Sequence, residues 1–543
     1  MDVQKTIEAI NAQLDNIKDP VAIAIITQLL NIIEYQAQEI KELKAENQKL
    51  RNEISKLKGG SGKPNIRPQS NGNHSSEKDR KPRDQQKNNK KSKHKNHQII
   101  INRIIKCKIN RNQLPEDAVF KGYKSVIVQD IIIKTNNTKF KKEVCYSPSL
   151  NQSFMADLPA GYDGEFGPHI KSLIIVQHFA HKMPEPAIVQ FLQNHGIKIS
   201  AATVSRMITD NHEQFHEEKK DIVDAGIRTS LYQQLDDTSA RINGKNNFTH
   251  VLCSPYYTAY FTRADKSRLT VLEILNQKPL NFQFNASAYA LMKQMGLSQD
   301  VLTKLKELHK TILEHKELDK LLASLFPQAD RHTRSRQIIL EASAITAYLN
   351  SSNAVKILLT DDAPQFKQIT ELLALCWIHD GRHYKKLSPI IVIHQKKLKI
   401  FLDRYWNYYH ELLAYKKKPS KVFFNKLAKE FDMLFSTITG YTQLDERIAR
   451  TKLKKDSLLL VLKYPDLPLH NNNSELGARA QARYRDISFQ TKNIKGTESK
   501  DTFMTIVETA KKLKVNAYNY IFDRISELFK LPSLANLVAC NTS

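Results

Sequence analysis

The stretch Tyr232-Gln233-Gln234-Leu235-Asp236-Asp237-Thr238 reads as a short strand that ends in two carboxylates. Asn243-Gly244 follows as a turn, and Val251-Leu252 and residues 256–261 read as the next strands of the same sheet. The pattern returns far down the chain. Val355-Lys356-Ile357-Leu358-Leu359-Thr360-Asp361-Asp362 is again an apolar strand delivering an acidic pair to its end. A third acid comes later still, where His470-Asn471-Asn472-Asn473-Ser474-Glu475 opens a helix that runs on through Ala478, Arg479 and Ala480. A carboxylate at a strand end stands at the lip of a sheet, so these acids are candidates for one shared site. Taken singly, each is better explained as a helix cap or a turn. Within each pair, either member can be functional while its neighbour caps.

At 543 residues the chain is too long for one core, and several domains are expected. Lys and Arg number 83 against 56 Asp and Glu, a net charge of +27. Such an excess points to a polyanionic partner, nucleic acid first and an acidic membrane surface second. No run of roughly eighteen apolar residues occurs, so no bilayer span is expected. Met1-Asp2-Val3-Gln4-Lys5 lacks the apolar core of a signal peptide. Cys107, Cys145, Cys253, Cys376 and Cys540 are scattered, with no Cys-x-x-Cys pair. That argues against a disulfide framework or a zinc ribbon, and for a reducing cytoplasm.

Residues 1–58 are helical by pattern. Ile26, Ile33, Ile40, Asn47 and Ile54 share one seam position of a heptad, and Leu29, Gln36, Leu43, Leu50 and Leu57 share the other. β-branched residues at a with Leu at d favour a parallel two-stranded coiled coil, with Asn47 fixing register. The plainer alternative is an amphipathic helix packed on its own protein. Pro20 interrupts the pattern, so residues 1–19 are expected as a separate helix. Residues 59–98 read as a disordered basic linker. Within them, 61–98 hold 11 Lys/Arg against 3 Asp/Glu, too polar to bury a core but suited to loose phosphate contact. Residues 99–165 lean toward strand, at 99–105, 125–134 and 139–146.

Residues 166–225 read as three helices, the second ending at Asn194-His195-Gly196 and the third capped by Ser200. Helix, Gly-containing turn, then a helix with Thr203, Ser205 and Arg206 near its start is the layout of a helix-turn-helix. A plain three-helix packing unit has the same outline. Residues 226–500 form the expected α/β core, with helical insertions at 268–354 and 388–462 and a fifth strand at 372–377. Residues 501–543 close the chain as a helical tail, with helices at 502–513 and 518–529.

Three acids in this order suit phosphodiester chemistry. Cleavage builds negative charge on both the entering and the leaving oxygen, and two Mg²⁺ ions about 3.5–4 Å apart stabilise both. Mg²⁺ prefers carboxylate oxygen and water, so Asp and Glu are fitting ligands and thiols are not.

Local motifs carry a more specific resemblance. Leu235-Asp236-Asp237-Thr238, Cys376-Trp377-Ile378-His379 with Arg382 beyond it, Asn471-Asn472-Asn473-Ser474-Glu475 with Arg479, and Ile506-Val507-Glu508-Thr509-Ala510-Lys511 together resemble transposases of the insertion sequence 66 family, a branch of the Asp-Asp-Glu enzymes. The resemblance implies an RNase-H-like core in a multidomain α+β chain. It implies Asp236, Asp361 and Glu475 as catalytic and metal-holding residues, with Mg²⁺ or Mn²⁺ as cofactor. Asp237, His379, Asn471 and Asn472 would support them, and Arg382 and Arg479 would join Thr203, Ser205 and Arg206 on DNA. The implied partners are double-stranded DNA (terminal inverted repeats and target), a second copy through the coiled coil, and small accessory transposition proteins. The expected location is the bacterial cytoplasm, at the nucleoid. The chain departs from the family pattern in having only Cys107 and Cys145 where a zinc finger usually stands, so zinc is not expected. His470 replaces an Asp and Leu476 an Arg. The expected activity is nicking of transposon ends and their joining to target DNA. The alternative is an inactive dimeric relative that only occupies those ends.

Overall fold

The computed structural model describes residues 19–57, 99–110, 113–115 and 117–542. The expected helix at 1–19 and the linker at 59–98 lie almost wholly outside them. In chain order the helices are α1 (Pro20–Leu57), α2 (Pro168–Phe179), α3 (Glu185–Asn194), α4 (Ala201–Thr209), α5 (Glu213–Thr229), α6 (Arg268–Asn276), α7 (Ala286–Gln294), α8 (Gln299–Leu305), α9 (His315–Leu325), α10 (Thr333–Leu349), α11 (Trp377–Lys385), α12 (Val392–Lys417), α13 (Lys421–Leu434), α14 (Thr442–Lys452), α15 (Lys455–Leu458), α16 (Leu460–Lys463), α17 (Asn472–Ser488), α18 (Ile494–Lys512), α19 (Ala517–Ile525) and α20 (Leu534–Thr542). The strands are β1 (Val144–Ser147), β2 (Gln152–Met155), β3 (Gln233–Ile242), β4 (Lys245–Cys253), β5 (Thr258–Arg263), β6 (Phe282–Phe284), β7 (Thr311–Leu313), β8 (Ile357–Thr360) and β9 (Leu372–Leu375).

A five-stranded mixed sheet, in the order β5-β4-β3-β8-β9, organises the larger of two units. Its first three strands form an antiparallel meander. Asn243 and Gly244, with φ of 46° and 77°, turn β3 into β4. Successive positive φ is the tight-hairpin geometry that an Asn-Gly pair adopts readily. β8 and β9 add in parallel. β8 is short and pairs with β3 only through Gln233 and Gln234. Beyond Gln234, the described residues give β3 no ladder partner on that side until an isolated parallel bridge joins Ile242 to Thr491, and β8 ends where Asp361 begins.

This changes the reading of the opening stretch. Asp236 and Asp237 lie inside a ten-residue strand, held opposite Val251 and His250 of β4, and not at its end. They stand half-buried at the lip because the parallel neighbour stops, not because their own strand does.

The far edge of the sheet is closed by a helix. Backbone N–H groups of Thr258, Tyr260 and Thr262 on β5 donate to Thr509 Oγ1 (3.2 Å), Thr505 Oγ1 (3.1 Å) and Asp501 Oδ2 (2.6 Å) on α18. Four residues of helix rise about 6 Å and two residues of strand about 6.6 Å, so the two repeats run in step. An edge strand is thereby capped by side chains in place of another strand. The expected tail thus begins earlier, at Ile494, and has three helices, α18 to α20.

The segment 268–354 is helical around a small β6–β7 hairpin. The segment 388–462 is a helical lobe built on Trp377, Tyr405, Tyr408, Phe431 and Phe435. The fifth strand stops at Leu375, because Trp377 opens α11.

α1 is a single helix of 38 residues. Pro20 starts it, with Asp19 Oδ1 accepting from Val21 N, the N1 position that proline favours. One face, at Leu30, Asn31 and Glu34, packs on the helical lobe. Glu34 is 2% exposed and accepts from Ile390 N (2.7 Å) and Ile391 N (3.1 Å), with His394 at 3.3 Å. Of the heptad seam, Ile26 joins Leu30 in that packing, while Leu29, Ile33, Ile40, Leu43, Leu50 and Ile54 are exposed. By length and composition alone, residues 20–54 would also suffice to cross a membrane.

The smaller unit comprises residues 63–139 with 195–197. Its described residues carry neither α-helix nor β-strand. The strands expected at 99–105 and 125–134 do not form, and Ile100, Ile104, Val126, Val128 and Ile132 stand exposed. β-propensity expresses itself only where a neighbouring strand and an apolar face exist to pack against. In the larger unit, the remaining β signal of this region appears as the β1–β2 hairpin.

Candidate functional site

The three predicted acids are carried by β3, by the turn after β8 and by the first turn of α17. A ring of hydrogen bonds ties these segments together one residue at a time. Cys376 N donates to Thr360 O (3.0 Å), the carbonyl just before Asp361. Cys376 Sγ accepts from Asn471 N (3.3 Å). Asn471 Nδ2 donates to Leu235 O (3.2 Å), the carbonyl just before Asp236. Asn471 is 1% exposed and precedes α17, so the helix that carries Glu475 is registered against β3.

Two further features seat α17. Gln234 shares a face of β3 with Asp236, and its Oε1 accepts from Asn473 N (3.1 Å) and Ser474 N (3.4 Å). It thus serves as a cap supplied from another element for the first turn of α17. Gly477 then lets the helix approach the sheet. A Cβ at this position would lie 2.6 Å from Val251 Cγ1 and 3.1 Å from Thr258 Cγ2, and the Gly477 carbonyl accepts from Tyr260 Oη (3.1 Å).

The acids converge electrostatically. Burial, and then the charges of Asp361, Asp237 and Glu475, push the Asp236 carboxyl up to about 7. The partner in each acidic pair is met by lysine. Asp237 lies 3.4 Å from Lys266 Nζ and accepts from Gln365 Nε2 (3.2 Å). Asp362 lies 2.6 Å from Lys454 and 3.2 Å from Lys367. Burial alone would raise the Asp362 carboxyl, but the two lysines outweigh it and hold it below the usual range. Asp361 turns its Oδ1 to Ala363 N (3.1 Å). The geometry thus separates the members of each pair: Asp236 senses Asp361 and Glu475, while Asp237 and Asp362 face lysines.

Glu475 is 14% exposed and pairs with Arg382 at 3.3 Å, with His379 Nε2 at 3.8 Å. Arg382, expected on DNA, is therefore engaged with a predicted catalytic acid. His379 Nε2 lies 2.8 Å from Arg382 Nη1. A guanidinium only donates, so Nε2 accepts and the ring proton sits on Nδ1, which is buried without a partner. Burial and then Arg382 lower the His379 pKa against the opposing pull of Glu475 and Asp361, which keeps the ring neutral.

Among the described residues, the group whose ligand atoms all fall within 4.8 Å is Cys376, His379 and Glu475. Burial pushes the Cys376 thiol up to about 11, so it stays protonated at neutral pH. Its visible work is to accept from Asn471. The oxygen donors of Asp236, Asp361 and Glu475 match a hard divalent cation, and such a cation would oppose the burial and neighbouring charges that raise the Asp236 carboxyl.

Asn472 is half-buried near His470, its N–H directed at His470 Nδ1 (3.4 Å). Arg479 is exposed one turn beyond Glu475. α2, α3 and α4 pack together in the larger unit. Ser200 caps α4 by accepting from Thr203 N (3.1 Å). Arg206 points outward with Nη2 3.5 Å from Thr203 Oγ1, and Ser205 is half-buried.

Gln234, Gly477 and Lys454 were not singled out from sequence. A signal existed for two of them. Gln234 lies two residues before Asp236 and so on its face, and a glycine inside a helix marks a close approach.

Two comparisons bear on the chain. It is 29% identical over 303 residues to the uncharacterized protein y4jO of Sinorhizobium fredii (strain NBRC 101917 / NGR234), covering 55% of this chain and 94% of that protein. Residues 163–292, which hold α2 to α5, the β3–β5 meander and Asp236, match the model of the family described as "Transposase IS66 family". Asp361 and Glu475 lie beyond the matched segment. Over residues 163–292, the chain is thus similar to transposases of the IS66 family.

Proposed function

We propose that the chain is a DNA transposase whose sheet is an RNase-H-like core and whose acids Asp236, Asp361 and Glu475 hold two divalent cations, Mg²⁺ or Mn²⁺. One observation carries the reading: beyond the carboxyl end of β8, burial and then the charges of Asp361 and Glu475, from distant segments, raise the Asp236 carboxyl. Ligands in open α/β sheets bind outside the carboxyl ends of strands. The strand order, an antiparallel meander extended by two parallel strands, also supports the RNase-H-like reading. When bound, the two ions would stabilise the entering and leaving oxygens of an in-line phosphoryl transfer. Asp236, raised by the charges of both other acids, is the proposed bridging ligand. Asn471 and Gln234 hold the Glu475 helix in register, and Arg382 lies beside Glu475 where it can also meet a phosphate oxygen. The reaction classes are hydrolysis at a transposon end and attack of the freed 3′-hydroxyl on target DNA.

α2–α4 act as a helix-turn-helix, with Thr203, Ser205 and Arg206 toward terminal repeats and Arg479 on DNA near the site. The exposed seam of α1 pairs two copies, leaving the Glu34 face on its own lobe. The protein works in the cytoplasm, where small accessory transposition proteins would join it.

The test is metal-dependent nicking of duplexes carrying the ends of the encoding element, by the wild type, Asp236→Asn, Asp361→Asn and Glu475→Gln. Loss in all three variants supports the assignment, and equal nicking by all four proteins refutes it. The Arg382–Glu475 pair favours one rival, a DNA-binding relative whose third acid is already neutralised. Mn²⁺ binding followed by electron paramagnetic resonance separates the two, since the rival takes up no ion that depends on Asp236 and Asp361.

A further inference from the structure

A cleft of about 750 Å³ opens directly off Asp361, between α11 and the segment from α14 to α15. Its wall carries Arg382, Lys386, Arg447, Arg450 and Lys454. Resting on the transposase reading, we propose that this cleft seats the DNA backbone on one side of the reacting phosphate.

The cations form two layers. At the floor, Asp380 is 5% exposed and bonds Arg447, with Lys454 3.5 Å away and shared with Asp362. Tyr405 Oη lies 3.4 Å and Thr451 Oγ1 2.9 Å from the same carboxylate. This network fixes the floor and neutralises it. At the rim, Lys386 and Arg450 are exposed. Arg450 has Glu446 3.9 Å away, with both side chains more than 60% exposed, a contact that water and salt screen almost entirely. The rim therefore keeps its positive charge. His383, on the same wall, reports that field: burial first, then Arg447 and Lys386, lower its pKa.

The position of the cleft selects the ligand. A strand with one phosphate at the acids carries its next phosphates away in both directions, and the cleft is a basic path leading off Asp361. Arg and Lys at its rim match phosphate oxygens in charge and donor geometry.

The experiment uses the full chain with a duplex of about 40 base pairs and Ca²⁺ in place of Mg²⁺, read by hydrogen exchange and by salt-dependent affinity. The wild type should exchange more slowly across α11 and α14 when DNA is added. Lys386→Ala/Arg450→Ala should still bind DNA through its other basic segments, lose that local slowing, and show a salt slope smaller by about 2, one per lost phosphate contact. Lys304→Ala, exposed on α8, should match the wild type. DNA binding without slowing at α11 and α14 overturns the cleft and leaves the transposase reading standing. Slowing produced by inorganic phosphate but not by the duplex overturns it as well. A wild type that binds no DNA overturns both.

Discussion

Asp236→Asn should stabilise the metal-free protein. The Asp236 carboxyl is raised from 3.8 to about 7, by burial first and then by Asp361, Asp237 and Glu475. The sign follows from linkage. A group whose folded pKa lies above its unfolded value favours the fold only while protonated. The penalty is absent below the unfolded value, grows from pH 3.8 to about 7, and is complete above that. Three units at about 1.36 kcal/mol each set its ceiling near 4 kcal/mol. Asparagine keeps the oxygen that accepts from Asp237 N at 2.8 Å, but its amide remains buried among carboxylates. The net gain is therefore about 1–3 kcal/mol at pH 8. Urea unfolding in EDTA at pH 8 and pH 5 reads this directly, as a shift of midpoint at constant slope. The advantage of the variant should shrink to less than about half at pH 5, where the wild-type carboxyl is mostly protonated. Adding Mg²⁺ at pH 8 should stabilise the wild type more than the variant. An asparagine variant less stable than wild type at pH 8 in EDTA, or equally advantaged at both pH values, would show that the acids do not crowd one another.

Gly477→Ala should cost about 0–2 kcal/mol by thermal unfolding, because an overpacked Cβ is partly offset by better helix propensity. Its nicking rate should fall tenfold or more as α17 lifts Glu475 away. Burial lowers His178 and His212 to about 4. Both are held neutral in the fold, so their stabilisation is full above pH 6.5 and lost as pH falls toward 4. At pH 5 each should have lost about 2 kcal/mol, and His178→Asn/His212→Asn should flatten the stability-versus-pH curve between pH 6.5 and 5. Glu34→Ala removes the acceptor for Ile390 N, Ile391 N and His394. It should cost about 3 kcal/mol at the docking of α1 and raise its proteolysis, while a coiled-coil dimer seen by sedimentation should persist.

Much of the architecture was legible because it is local. Two apolar runs ending in acids, an Asn-Gly turn, a heptad and a Ser-capped helix are each written within a few residues. What escaped was set by partners distant in sequence. The extent of β3 depends on β4, and the lip at Asp236 exists because β8 is short, which no reading of residues 232–238 contains. The three hydroxyl and carboxyl side chains of α18 that close β5 read in sequence as ordinary polar positions. At 99–139 the β-prone residues met no sheet to join, so propensity alone misled.

The ring through Thr360, Cys376, Asn471 and Leu235 explains why the local motifs resemble a family more clearly than the acids do by themselves. A carboxylate after a strand is common, and its meaning depends on two others arriving within reach. Cys376 and Asn471 make that arrival a matter of register: each bonds a residue adjacent to an acid or to the helix that carries one. A one-residue slip in any of the three segments would break a bond of the ring and, on β3, turn Asp237 inward in place of Asp236. Lys266, Lys367 and Lys454 oppose the same error, since each pairs with the acid that the proposed site leaves out. In the proposed site, the choice between the two members of each acidic pair, open from the residues alone, rests on three lysines and two hydrogen-bonding side chains on other elements.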